Sequence, residues 1–531
     1  MNAPARHNTG NISAVDDDTS LSGRCADGDD NIVVIGAGPA GLTAAHELAK
    51  AGRTCEVLEA DHVVGGISRT VVVDGNRFDI GGHRFFTKVA VVEDRWHELL
   101  PDDLLIRERA SRIYYRGKFY EYPLRPLNAL ANLGPTEALR CVASYGRARA
   151  AQLAPRRQPP QNLEDYVVAN YGRRLYEHFF RAYTTKVWGV DPSALSADWG
   201  AQRIKGMSLW SAVWEPMRAR LAGRRTRDQQ VASLIEEFLY PRLGPGMMWE
   251  RCAELVEAAG SKVHFESPVT RISHDHGHVS SVESTDETGA VTRYSADHVI
   301  SSMPLAELVA VMEPSPPDDV LDAARQLGFR DYLLVALVVP AERVDWTDNW
   351  VYVHEPDIDA MRIQNFGAWS PEMVRKGCAV LGLEYTTSVS DPWWSAPDAD
   401  LIGRASAELD RLGLVPAGDI ASGHVVRMPK AYPIYDENYQ RNVDTLRTWL
   451  AAHAPNVHPI GRNGMHRYNN QDHSMYTAML TVDNVLNGAD HDVWSVNVEA
   501  DYHESGTGPS ARTGRDAPVV PTPTHTADSP T

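Results

Sequence analysis

The chain is predicted to be an α/β protein: a Rossmann-like dinucleotide-binding domain carrying a helical insertion and joined by a second, sheet-containing substrate domain. Three observations predict it. The apolar run Ile32 to Ile35 leads into Gly36, Gly38 and Gly41 in GxGxxG spacing, then into an Ala-rich helix and a second strand. From Arg125 to Tyr240, apolar and aromatic residues recur every three or four positions, as in LEDYVVANYGRRLYEHFFRAYTTKVWG, which is the period of helices. Beyond residue 330, DYLLVALVVP, WVYVHEP and AVLGLEYTTS read as strands of another sheet. At 531 residues the chain exceeds what one core holds, so several packed units are expected.

Each glycine of the first motif has its own work. Gly36 permits the tight turn, Gly38 lets backbone approach a pyrophosphate, and Gly41 lets helix and strand pack closely. Pro39 and Ala40 open a helix whose N-terminus offers unpaired N–H groups and a positive dipole to phosphates. Glu59 ends the second strand about 20 residues on, beside Ala60, where a carboxylate accepts hydrogen bonds from ribose hydroxyls and disfavours a 2′-phosphate. FAD or NAD is therefore preferred over NADP.

The expected divisions are disordered tails over 1–30 and 495–531, dinucleotide-binding segments over 31–125, 241–310 and 456–494, a helical substrate domain over 126–240, and a sheet-containing substrate domain over 311–455. The polar linker LAPRRQPPQN and the basic run MRARLAGRRTRDQQ interrupt the helical part, the latter read as a solvated face. A net charge of -18 argues against nucleic acid or an anionic membrane as a partner. No apolar run is long enough to span a bilayer and no secretory signal opens the chain, so a cytoplasmic location is expected. The five cysteines Cys25, Cys55, Cys141, Cys252 and Cys378 form no CxxC pair, and HDHGH, His274 to His278, falls in a hairpin turn, so no metal site is expected.

The block ADHVVGGISRT resembles the second glycine motif of the flavin amine-oxidase, protoporphyrinogen-oxidase and UDP-galactopyranose-mutase superfamily. That resemblance implies FAD, with Gly65, Gly66 and Arg69 along its pyrophosphate. ESPVTRI is similar to the strand whose backbone meets the adenine, placing Val269 there. The closing element implies that Gly461, Arg462 and the helix starting near Asp472, with His473 and Ser474, lie beside the flavin ring and ribityl chain.

Further segments resemble the mutase branch. FDIGGHRFFTK is similar to the loop in which a His lies near the flavin, implying Gly81, Gly82 and His83. TTKVWGVDPSAL is similar to the KxWG motif of the helical domain and implicates Trp188. LGFRDY resembles the segment whose arginine grips the substrate diphosphate, Arg330 here, and AYPIYDENYQ the stretch that supplies tyrosines, Tyr432 and Tyr439. His83 and Trp188 could equally be a turn residue and a core residue, whereas an arginine entering an apolar strand needs an anionic partner. The chain departs from the mutases at Phe86, where they carry a second His, and in RYNNQDHSM, which replaces a Tyr-Asp-Met-Asp run.

Two readings follow. In the first, a nucleotide sugar is isomerised on reduced flavin with no net oxidation, the flavin being reduced by an external donor such as NAD(P)H. In the second, an oxidase or desaturase passes a hydride from a small-molecule substrate to the flavin, and an aromatic-lined pocket matters more than arginines.

Overall fold

The structure, a computed structural model, describes residues 30–153, 160–194 and 237–496, save 123, 125 and 190. The expected tails over 1–30 and 495–531, most of the polar linker, the basic run and the Trp188 side chain lie outside the described residues, apart from the few tail positions bordering them.

The dinucleotide sheet has five parallel strands in the order Val457–Pro459, His298–Ser301, Ile32–Ile35, Glu56–Leu58 and Lys262–His264. Its central strand is buried on both faces, which is why IVVI reads as an unbroken apolar run. On one face the helix Pro39–Lys50 packs with Gly246–Ala258 and Gln471–Asn487, burying Leu42, Leu48, Trp249 and Met475. The chain thus returns to this sheet from residues more than 400 apart.

The second sheet has seven strands, ordered Ser422–Pro433, Phe329–Pro340, Cys378–Thr387, Arg362–Asn365, Trp350–Val353, Ser111–Tyr115 and Lys118–Glu121. Helices Pro126–Leu133, Pro135–Gln152, Leu163–Tyr171, Arg173–Phe179 and Arg181–Trp188 build the insertion beside it.

Three segments depart from the sequence expectation. The hairpin Ser111–Tyr115 and Lys118–Glu121, expected with the dinucleotide segment 31–125, joins the second sheet because Ser111 to Tyr114 pair in parallel with Trp350 to Val353. The helices Asp318–Arg325 and Tyr439–His453, expected with the substrate domain 311–455, cover the other face of the dinucleotide sheet. Their Val320, Ala324, Leu446 and Leu450 share a core with Val33, Ile35 and Val299. Glu237–Pro241, expected at the end of the helical stretch, is a strand paired with Leu104–Glu108, and its alternating Phe238 and Tyr240 are the buried pair.

Candidate functional site

The first strand ends at Gly36, whose φ of +93° suits glycine, and a Cβ there would come within 2.3 Å of the Ser302 Oγ. A Cβ on Gly41 would lie 1.8 Å from the Gly36 carbonyl oxygen, so helix and strand touch through bare backbone. Gly38 differs. Its φ is ordinary, and a Cβ would meet only the Gly66 Cα, at 3.9 Å. A Cβ on Gly66 would in turn lie 3.4 Å from the Gly38 Cα, so the two glycine motifs oppose each other across a space bounded by backbone. Gly38 caps the helix Pro39–Lys50 without any side-chain hydrogen bond. This backbone-only cradle at a helix N-terminus fits the pyrophosphate of a dinucleotide.

Glu59 closes the cradle on one side. Its Oε2 accepts from the Ala37 N–H at 2.6 Å and its Oε1 from the Asp61 N–H at 2.9 Å, while burial pushes its pKa up. Ala60 beside it is exposed. The Glu59 carbonyl accepts from the Ser267 N–H at 2.8 Å, which brings the start of the strand Val269–Asp275 alongside. Arg69 is ion-paired with Asp61, so the structure places it at the cradle's rim in partnership with a carboxylate. On the other side Gly461, with φ +74°, would drive a Cβ to 2.7 Å from the Ala40 Cβ and 3.8 Å from the Ser474 Oγ. The turn before the closing helix therefore presses onto the first helix. Asn470 caps that helix reciprocally with His473, whose Nδ1 accepts from the Asn470 N–H at 3.2 Å, and Asp472 and His473 are both buried.

Further along, the loop Gly81, Gly82 and His83 lies against the second sheet, beside Tyr332, Gln364 and Trp369. The His83 Nε2 lies 3.0 Å from the Ile80 carbonyl and its Nδ1 3.5 Å from the Ser68 Oγ. Burial, helped by the charges of Arg462 and Arg362, lowers its pKa to about 4, so the imidazole is neutral at neutral pH. A Cβ on Gly81 would lie 3.7 Å from the Tyr332 Oη, and one on Gly82 3.1 Å from the Gln364 Nε2. Behind this loop sits a group that sequence reasoning missed: Arg362 pairs at 2.5 Å with Glu384, fully buried, which also accepts from Gln364, itself held by the Trp369 indole. The signal was available, since Glu384 is the single charge in the run AVLGLEYTT.

Arg330 lies opposite Tyr432 across the strands Phe329–Pro340 and Ser422–Pro433. A Cβ on Gly189 would be 2.8 Å from the Arg330 Cζ, so the end of the TTKVWG helix rests on the guanidinium. Its Nη2 makes a long contact, 3.4 Å, to the Thr386 Oγ1, and its buried Nε has no hydrogen-bond partner among the described residues. That helix is tied down in turn by Lys186, whose Nζ donates to the carbonyls of Val353 at 3.0 Å and Glu355 at 2.5 Å. Tyr432 packs between Tyr332, at 6.3 Å between ring centroids, and Tyr468, at 5.8 Å, with the Arg462 guanidinium over both Tyr432 and Tyr468. Arg462 itself donates to the Asn469 and Ala431 carbonyls. His83, Arg330, Tyr432 and Arg462 thus share one neighbourhood around Tyr332 and Tyr432. Tyr439, the first residue of its own helix, stacks on Tyr435 at 4.4 Å between ring centroids.

These features define a class: a protein that holds a dinucleotide on a Rossmann-like sheet and presents a second sheet to its reactive end. The chain belongs to the flavin containing amine oxidoreductase family, whose profile matches residues 39–358. It is an FAD-dependent flavoenzyme. A Klebsiella pneumoniae protein named "Probable UDP-galactopyranose mutase" is 29% identical over 177 residues, which is 32% of this chain and 43% of that one. Escherichia coli dTDP-fucopyranose mutase is 27% identical over 179 residues, 31% of this chain and 44% of its own length. Putrescine oxidase of Kocuria rosea is 56% identical, over 52 residues covering 10% and 11% of the two chains. The chain therefore spans less than half the length of these curated relatives. Among solved structures, reduced UDP-galactopyranose mutase superposes with a TM-score of 0.73 at 23% identity, covering 87% of this chain and 96% of the other. Putrescine oxidase bound to putrescine gives 0.57 at 15% identity over 86% and 99%. No helix among the described residues is long and apolar enough to cross a membrane.

Proposed function

We propose that this flavoenzyme isomerises a nucleotide-linked sugar with FAD held in its reduced state. One observation carries the reading: Arg330, an always-charged guanidinium, is half-buried against Gly189 and opposite Tyr432, and among the described residues no carboxylate forms an ion pair with it, Asp391 and Asp331 acting on it only from farther off. A redox reaction on an uncharged amine has no use for that charge, whereas a departing diphosphate does. The similarity of about a third of the chain to two sugar mutases supports the same choice.

Reduced FAD, when bound, supplies the nucleophile that such a reaction needs. The chain's part is then positioning and charge. Arg330 holds the diphosphate as it leaves and as it returns, and Tyr432, whose hydroxyl burial keeps protonated, donates to it from the facing strand. Neutral His83 donates its Nε2–H to the Ile80 carbonyl, which leaves Nδ1, 3.5 Å from the Ser68 Oγ, as an acceptor only and adds no charge. Arg362 and Glu384 neutralise each other and keep the wall behind His83 rigid. The site residues expected from the sequence, Trp188 and Tyr439 apart, are assigned these roles or cofactor contacts.

The test is anaerobic. Flavin is reduced with dithionite or NAD(P)H and the holoenzyme is offered UDP- and dTDP-linked hexoses. Isomerisation that requires reduced flavin and consumes no reductant supports the reading. Bleaching of oxidised flavin by an amine or another substrate, with reoxidation in air, replaces it with the oxidase reading.

A further inference from the structure

Three metal-ligating side chains meet in the helical insertion, outside the dinucleotide cradle. Glu137 and Cys141 lie one turn apart on the helix Pro135–Gln152, so both project from the same face. His178 reaches them from the helix Arg173–Phe179. A carboxylate oxygen of Glu137, the Cys141 Sγ and a ring nitrogen of His178 all lie within 4.8 Å of one another. The cysteine is free, and both it and His178 are buried. No spacing in the residue order points to the set, because its third member arrives from a separate helix.

The His178 Nε2 stands 3.1 Å from the Glu137 Oε1. Nitrogen and oxygen ligands on one tetrahedral zinc ion stand about 3.3 Å apart, so an ion takes the place of the shared proton with little movement of either residue. The Cys141 Sγ closes on it by rotation about one side-chain bond. The outer contacts are already made. The far ring nitrogen, Nδ1, is 3.0 Å from the Tyr115 Oη, the kind of hydrogen bond that orients a metal-bound imidazole. The Glu137 Oε2 accepts from the Arg174 Nη2 at 3.1 Å and the Arg140 Nη1 at 3.3 Å, so the carboxylate can turn Oε1 to a metal while Oε2 keeps its arginines. The Arg174 Nε also meets Oε1, at 2.9 Å, but that side chain is 38% exposed, has Glu177 as a second partner at 3.4 Å and can turn outward.

We propose that Glu137, Cys141 and His178 form a zinc site with water as the fourth ligand. One sulfur, one imidazole and one carboxylate make a donor set that suits zinc, whereas magnesium and calcium take oxygen ligands. On binding, the Cys141 thiol gives its proton to solvent, and the imidazole keeps one proton, moved from Nε2 to Nδ1 and donated to the Tyr115 Oη. Thiolate and carboxylate together match the charge of the dication. The ion clamps the helix Pro135–Gln152 to Arg173–Phe179 and, through Tyr115, to the strand Ser111–Tyr115 of the second sheet. The next helix, Arg181–Trp188, ends against Arg330, so the clamp steadies the support of that guanidinium whichever reaction the flavin performs.

In the experiment the FAD-loaded full chain is stripped with EDTA, titrated calorimetrically with zinc chloride and studied by X-ray absorption at the zinc edge, beside Cys141→Ala and Tyr115→Phe. Wild type is expected to take up about one zinc per chain, with one sulfur neighbour at about 2.3 Å and nitrogen or oxygen neighbours at about 2.0 Å. Cys141→Ala is expected to lose the sulfur neighbour and to bind at least about tenfold more weakly, and Tyr115→Phe to keep the sulfur and bind about tenfold more weakly. Zinc is expected to raise the melting temperature of wild type and to leave that of Cys141→Ala unchanged. A zinc without a sulfur neighbour, a sulfur neighbour that survives Cys141→Ala, or no uptake by wild type would each overturn the proposal. Flavin absorbance and circular dichroism check that the variants are folded; should Cys141→Ala fold poorly, Cys141→Ser gives the same readout.

Discussion

Arg330 and Tyr432 face each other across two antiparallel strands, with Gly189 pressed on the guanidinium from the helical side. Two backbone segments nearly 250 residues apart in the chain, one ending a helix and one closing a strand, are thus needed to hold a single cation in place.

Arg330→Met is expected to weaken a nucleotide-diphosphate ligand by about 2–5 kcal/mol while leaving the melting temperature unchanged or higher. Titration calorimetry with UDP, beside a thermal melt, checks both halves. Equal affinity in the variant would remove Arg330 from the site.

Gly38→Val and Gly41→Ala are expected to fail differently. A side chain on Gly38 meets little protein but fills the cradle, so the variant is expected to fold and purify without yellow colour. A Cβ on Gly41 strikes the Gly36 carbonyl, so that variant is expected to lose folded yield itself. Flavin absorbance per mole of protein and circular dichroism distinguish the two.

Breaking the buried pair behind His83 by Glu384→Leu leaves Arg362 charged and alone, at a cost of about 3–5 kcal/mol. The double variant Arg362→Met with Glu384→Leu is expected to recover most of this. Denaturant unfolding of wild type, Glu384→Leu, Arg362→Met and the double variant tests it, and additive losses would mean the two residues do not act as a pair.

Asp79 gives a pH test. Its carboxyl is buried and accepts from Thr70 and Tyr240, yet burial raises its pKa to about 7. Between pH 3.8 and 7 the unfolded chain has lost this proton and the folded chain keeps it, so the group's contribution to stability falls as pH rises through that window and is level above it. Asp79→Asn has no such proton. Its stability relative to wild type is expected to rise from about pH 4 to about pH 7 by up to about 4 kcal/mol and then stay constant. A pH-independent difference in melting temperature would contradict the raised pKa.

The dinucleotide half is largely legible in the residue order alone, because its constraints are local. A turn at φ +93°, a helix pressed on a strand at Gly41, and a carboxylate ending the second strand each demand a particular residue at a fixed spacing. The substrate half is legible only in pieces. Ser111–Tyr115, expected with the dinucleotide-binding segment 31–125, has its sheet decided by Trp350–Val353, more than 230 residues on. The faces of Asp318–Arg325 and Tyr439–His453 show that each helix buries something without showing which sheet it covers.

The chain's own order of residues determined that it binds a dinucleotide on an α/β sheet, where that sheet begins, and that Arg330 enters an apolar strand and needs an anion. Tertiary structure decided which tyrosine stands opposite Arg330, that Tyr439 stacks on Tyr435, that Glu384 is matched by Arg362, and that the buried Arg109 nitrogens have no hydrogen-bond partner among the described residues. The physical reason is common to all four. Charge pairing and desolvation act through distances of a few ångströms in space, and the partners come from separate turns of the chain that only packing brings together.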